Sequence, residues 1–122
     1  MLERWRNDSP IWLSSVVLEE LYAGAGPSGY RIIEKLERDF ERARRVLVPN
    51  LNDWTDTGRI LSRLAHRFGF ELVGRGRLTN DALIATSAAR AGIKLLTENQ
   101  RDFARLAEFC ALQWESRTLK NG

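Results

Sequence analysis

Residues 78–103 read LTNDALIATSAARAGIKLLTENQRDF, and their pattern decides the fold. Asp81 opens an apolar helical run, while Ile93-Lys94-Leu95-Leu96-Thr97 has the length of a buried strand. A carboxylate in the first turn of a helix is favoured by the exposed N–H groups and by the positive end of the dipole. Asp102 comes a few residues past the strand, and in an open α/β sheet ligands collect outside the carboxyl ends of the strands. Asp81 and Asp102 are therefore expected to face one crevice. Paired carboxylates in a crevice suit a hard cation such as Mg²⁺ or Mn²⁺.

Upstream of this stretch the chain alternates strand-like and helix-like runs. Ile11–Val17 follows Pro10 and reads as a strand, and Leu18–Ala25 reads as a short helix closed by Gly24, Gly26 and Pro27. Ser28 is placed to cap a helix reaching Arg45, with Ile33, Leu36, Phe40 and Ala43 on its apolar face. Val46–Pro49 predicts a second strand. Asn52 or Asp53 then caps a helix to Phe68, which Gly69 ends. Phe70–Leu78, with Gly74 and Gly76 around Arg75, reads as a flexible surface connection.

After the helix Asn80–Ala91 and the strand Ile93–Thr97, the pattern predicts a short helix over Gln100–Ala107 and a last strand over Phe109–Trp114. Residues 115–122 read as a polar tail. Strands alternating with helices argue for an α/β sandwich with a mostly parallel sheet, in one domain spanning residues 1–122.

Composition narrows the function classes. Hydrophobic residues make up 43% and charged residues 29%, ordinary values for a globular protein. No apolar run approaches the ~20 residues of a membrane helix, and the charged N-terminus lacks a signal-peptide core, so a cytoplasmic location and no membrane partner are expected. Cys110 is the one cysteine, which excludes an internal disulfide and a thiolate-rich zinc site; it reads as a small core residue. His66, the one histidine, reads as a helix-surface residue, so histidine-based catalysis has little support. The 19 basic and 16 acidic residues leave a net charge of +3. Arg75, Arg77, Arg90, Lys94, Arg101 and Arg105 lie near the acidic pair, which makes nucleic acid a plausible substrate, although basic residues on solvated surface explain the charge alone. Trp5, Trp12, Trp54 and Trp114 read as core or interface anchors rather than base-stacking platforms.

Three stretches together carry a resemblance: Leu13–Gly24 (LSSVVLEELYAG), Asn80–Ala85 (NDALIA) and Leu96–Phe103 (LTENQRDF). In order and spacing they resemble the PIN-domain ribonucleases, specifically the VapC-type toxins, over nearly the whole chain. The resemblance implies a PIN-like three-layer sandwich with a mostly parallel central sheet. It also implies an endoribonuclease that depends on Mg²⁺ or Mn²⁺, acts on RNA, pairs with a cognate antitoxin and forms a homodimer. Matched position by position, it implies Glu20, Asp81 and Asp102 as catalytic and metal-binding acids, with Thr97 and Asn99 as supporting polar residues. Glu19 is assigned to solvent, because the family's acid immediately precedes a leucine, here Leu21.

One part of the family pattern is missing. Family members begin with a strand ending in an aspartate within a D-[ST]-[NS] motif, and nothing in Met1–Pro10 matches it; Asp8 has no apolar run before it. An N-terminally incomplete fold is expected, lacking a central strand and one acid, with a misassigned start or a truncated gene as the two explanations. Placement errors of ~1 Å can cost on the order of a hundredfold in rate, so cleavage would be impaired. A non-catalytic PIN-like module that binds an antitoxin or dimerises is the alternative. Taken singly, Asp81 and Asp102 read as helix-capping residues and Glu20 as an exposed helix residue; the combination turns that reading toward an acidic site.

Overall fold

Ser14 sets where the first strand stops. Its hydroxyl accepts the N–H of Val16 at 3.1 Å, a cap that starts a helix inside the apolar run. In the computed structural model, which describes residues 11–73, 76–97 and 99–116, strand β1 is therefore only Leu13–Ser14, and helix α1 takes up Ser15–Gly24. Of the expected strand Ile11–Val17 only Leu13–Ser14 is strand, and Ser15–Val17 are helix, because the polar cap outweighs the β-branched residues after it. The chain divides into two compact units, the first ending at Val48 and the second starting at Pro49.

In the first unit, helix α2 spans Tyr30–Arg42. Gly29 rather than Ser28 is its N-cap, and no side chain caps it. Arg44, with φ of 57°, then turns the chain out of the helix three residues before the expected end, and strand β2, Val46–Leu47, follows. β2 pairs in parallel with β1, Leu13 opposite Val46 and Ser14 opposite Leu47. Val16, Leu18, Ile33 and Leu47 are buried, and Ile33 is the buried point of α2. The wet face of α2 carries the exposed ion pair Lys35–Asp39 at 2.9 Å. Tyr22 meets Tyr30 edge-on, with ring centroids 5.8 Å apart, and donates its hydroxyl to Glu37 at 2.7 Å; that bond pushes the phenol up to about 12.

The second unit opens with helix α3, Leu51–Phe68. Its cap is a reciprocal box: Asn50 accepts the Asp53 N–H at 2.8 Å and Asp53 accepts the Asn50 N–H at 2.9 Å. The cap thus falls two residues before the earlier of the two expected positions, and Asp53 serves from the first turn. Gly69, at φ 110°, ends α3 as expected, since only glycine takes that backbone without strain. Phe70–Val73 then forms a one-turn helix, α4, where a flexible connection is expected.

Helix α5, Gly76–Ala91, starts a full turn earlier than the sequence suggests. Burial of Leu78 draws that extra turn into the core, and from Leu78 through Ala88 the helix is buried except at Thr79 and Asn80, which are half-buried. Strand β3, Leu95–Thr97, helix α6, Gln100–Leu106, and strand β4, Trp114–Ser116, complete the unit. β3 and β4 run parallel, with Leu95 opposite Trp114. Ile60, Leu64 and Ala65 of α3, Ala82, Leu83 and Ala85 of α5, and Phe103 and Leu106 of α6 make its core. The architecture is helix-rich α/β with short parallel strands, as the alternation predicts. Trp54 is 56% exposed and Trp12 is exposed, so neither is a core anchor. Trp5 and the whole of Met1–Pro10, and the tail beyond Ser116, lie outside the described residues.

Candidate functional site

Two carboxylates of the second unit share one amide. The Nδ2 of Asn99 donates to Oδ2 of Asp81 at 3.2 Å and to Oδ2 of Asp102 at 3.0 Å. Each partner arrives by a different route. Asp81 sits in the second turn of α5, between buried Leu78 and Ile84, and is itself 7% exposed. Asp102 is in the first turn of α6, which Phe103 and Leu106 anchor in the core. Asn99 is the N-cap of α6, its Oδ1 accepting the Asp102 N–H at 3.4 Å. Thr97, at the end of β3, holds that cap in place by accepting the Asn99 N–H at 3.0 Å.

The structure thus brings Asp81, Asp102, Asn99 and Thr97 together, by a mechanism the sequence does not show. Asp81 is not at the helix N-terminus: α5 has no acidic residue in its first turn, so neither the dipole nor a capping role holds that carboxylate. The Asn99 amide holds it instead, from a segment 18 residues further along. Asp102 does not cap α6 either; Asn99 does, and Asp102 receives the amide. Glu20 and Glu19 are both exposed on α1 in the first unit. Glu98 lies outside the described residues, as do Arg75 and the side chain of Arg77.

The donor set fits a hard cation. Among the described residues no three His, Cys, Asp or Glu side chains gather closely enough to hold a metal ion, but Mg²⁺ is usually bound through only one or two carboxylates and keeps several waters. Asp81 and Asp102 supply two carboxylates, all-oxygen ligands, beside a strand's carboxyl end. Nitrogen and sulfur ligands for a softer metal are lacking there: His66 is spent on the Ser62 carbonyl at 2.7 Å, and Cys110 is half-buried beside α6, its Sγ against the Leu106 carbonyl.

A second polar constellation escapes sequence reading. Arg90, near the end of α5, donates its Nε to both carboxylate oxygens of Asp53, and Asp53 is 2% exposed. One turn away, the buried hydroxyls of Thr57 and Thr86 meet at 3.0 Å. The only sequence signal is the presence of polar residues within otherwise apolar helix faces. These bonds fix α5, and with it Asp81, against α3. Of the remaining basic residues named above, Lys94 faces Glu115 at 3.6 Å, Arg101 is exposed, and Arg105 is half-buried with its guanidinium 4.8 Å from the Phe68 ring centroid.

A model of the PIN domain matches residues 1–109, close to the full length. The chain belongs to the PIN domain family. PIN domains are in general divalent-metal-dependent nucleases, and the resemblance of Asn80–Ala85 and Leu96–Phe103 to that family falls on the four residues that meet here. A search of curated proteins finds no match to the chain. Among the described residues, no helix of this PIN domain is long and apolar enough to cross a membrane.

Proposed function

We propose that this PIN domain is a divalent-metal-dependent endoribonuclease of the VapC toxin type, with Asp81 and Asp102 as the acids that hold Mg²⁺ or Mn²⁺. The observation that carries the reading is the Asn99 amide between the two carboxylates. A buried aspartate beside a second acid is costly to keep without a compensating partner, and a single amide donor supports both. When bound, the cation would lower the pKa of a coordinated water and offset charge on the phosphoryl oxygens. Asn99 sets the spacing of the two acids, Thr97 sets Asn99, and burial of Phe103 and Leu106 keeps α6 from moving away.

RNA is the substrate in this reading, a cognate antitoxin and a second copy of the chain are its protein partners, and the location is cytoplasmic. Leu51 and Trp54, both exposed and one turn apart at the start of α3, support a chain that meets other proteins.

Cleavage of single-stranded RNA with Mg²⁺ or Mn²⁺ tests the proposal. Activity that EDTA removes and that Asp81→Asn and Asp102→Asn each abolish is the expected result. Cleavage surviving EDTA and both substitutions would overturn it. Glu20→Gln separately tests the third acid that the family resemblance implies.

A further inference from the structure

Two guanidinium groups lie on one exposed ring in the second unit. Arg67 Cζ is 5.1 Å and Arg105 Cζ 4.8 Å from the centroid of Phe68, which is 38% exposed. Like charges held this close repel, and Glu108, bonded to Arg67, offsets one of them. Arg67 is also the last of a row: Arg59, Arg63 and Arg67 recur every fourth residue of α3, about 6 Å apart along one side of the helix. Arg59 is tied to Asp56 at 2.8 Å, whereas Arg63 is exposed and makes no hydrogen bond or ion pair among the described residues. Beside the row lies an open cleft of about 490 Å³ where Ile60 and Phe109 meet Arg59 and Arg63; its two acids, Asp53 and Asp56, are paired with Arg90 and Arg59.

We propose that Arg59, Arg63 and Arg67 of α3, with Phe68 and Arg105, form a track that binds single-stranded RNA and leads it to Asp102. The direction rests on the nuclease reading, because Asp102 lies three residues before Arg105 on α6, one turn away on the same side. Spaced cations meet successive phosphates, while the ring and the guanidinium planes offer flat faces on which bases stack without regard to sequence. The cleft has both apolar and charged walls and is large enough for a displaced base. An acidic peptide would meet the same charges but has no flat face to set against Phe68, so RNA is the occupant that the ring favours.

Fluorescence anisotropy of a labelled single-stranded RNA, measured in EDTA so that nothing is cleaved, tests the track. Arg63→Glu removes no internal bond, so it should fold; it should weaken binding and lower the salt slope by about 0.7 for each phosphate that is no longer neutralised. Phe68→Leu keeps an apolar side chain and should weaken binding roughly 5- to 100-fold, with Phe68→Tyr restoring it. Lys35→Glu, the same charge change on α2, should bind like the unaltered chain. The track is wrong if Arg63→Glu and Phe68→Leu bind normally, if Lys35→Glu weakens binding equally, or if a poly-glutamate peptide binds and RNA does not. Binding through the track without metal-dependent cleavage would overturn the nuclease reading alone. Cleavage with normal RNA binding by both variants would overturn the track alone.

Discussion

Arg90 holds Asp53 from 37 residues away, its Nε 3.0 and 2.9 Å from the two carboxylate oxygens. The same carboxylate closes the capping box of α3, so one aspartate both starts α3 and receives the end of α5. Because α5 carries Asp81, the pair bears indirectly on the acidic site.

Asp53→Ala should therefore lose the cap and the charged hydrogen bonds together, roughly 2–3 kcal/mol. Arg90→Ala should cost less, about 1–2 kcal/mol, because the Arg90 side chain is 40% exposed and water takes over part of its role. Urea unfolding of the two variants checks the order. An Arg90→Ala protein less stable than Asp53→Ala would show that the cap contributes little.

Thr57 and Thr86 should respond unequally. The Thr86 hydroxyl also lies near the carbonyls of Leu83 and Asp53, at 3.2 and 3.4 Å, while Thr86 is the hydrogen-bond partner of the Thr57 hydroxyl. Thr86→Val strands a buried hydroxyl and should cost about 1–3 kcal/mol, Thr57→Val distinctly less. The double variant should be no worse than Thr86→Val alone. Additive losses in a double-mutant cycle would contradict the pairing.

Much of this is legible in the sequence, for local reasons. Gly69 ends α3 because a positive φ there is a single-residue property, and Thr97, Asn99 and Asp102 lie within six residues, so their motif carries its own geometry. The parallel α/β arrangement follows from the alternation of apolar runs. The features that the sequence hides depend on partners distant along the chain or on competition between signals. Periodicity sets the start of α5 too late because burial of Leu78 is a tertiary effect, and it thereby gives Asp81 a helix N-terminus in place of an amide donor. Ile11–Val17 has the hydrophobicity of a strand, and the Ser14 cap overrides it. The Asp53–Arg90 pair has no local signature at all.

Asn99→Asp isolates the bridging amide. The variant keeps an oxygen for the Asp102 N–H but sets a third carboxylate where two already meet. Without divalent cation its melting temperature should fall, by the several degrees that ~1 kcal/mol represents in a chain of this size. Mn²⁺ should raise the variant's melting temperature more than it raises that of the unaltered chain, because the cation then relieves repulsion. Equal shifts for both proteins would show that the amide does not stand between the acids.

Burial pushes the Cys110 thiol above its ordinary value of 9.0. The stability linked to the neutral thiol is fully present below pH 9.0 and is lost as pH rises through the folded-state value. Alkylation of this single thiol, followed by mass spectrometry, should show a pH–rate midpoint above 9.0. A midpoint at or below 9.0 would mean that the thiol is better solvated than its place beside α6 implies.

The claim that Asp81 and Asp102 form a cation site is tested most directly by titrating Mn²⁺ into the chain and following the paramagnetic signal of the free ion. One ion should bind per chain, and EDTA should release it. Asp81→Asn and Asp102→Asn should each weaken that binding by roughly tenfold or more, whereas Asp39→Asn on α2 should leave it unchanged. Mn²⁺ binding that is equal in the unaltered chain and in both site variants would contradict the account.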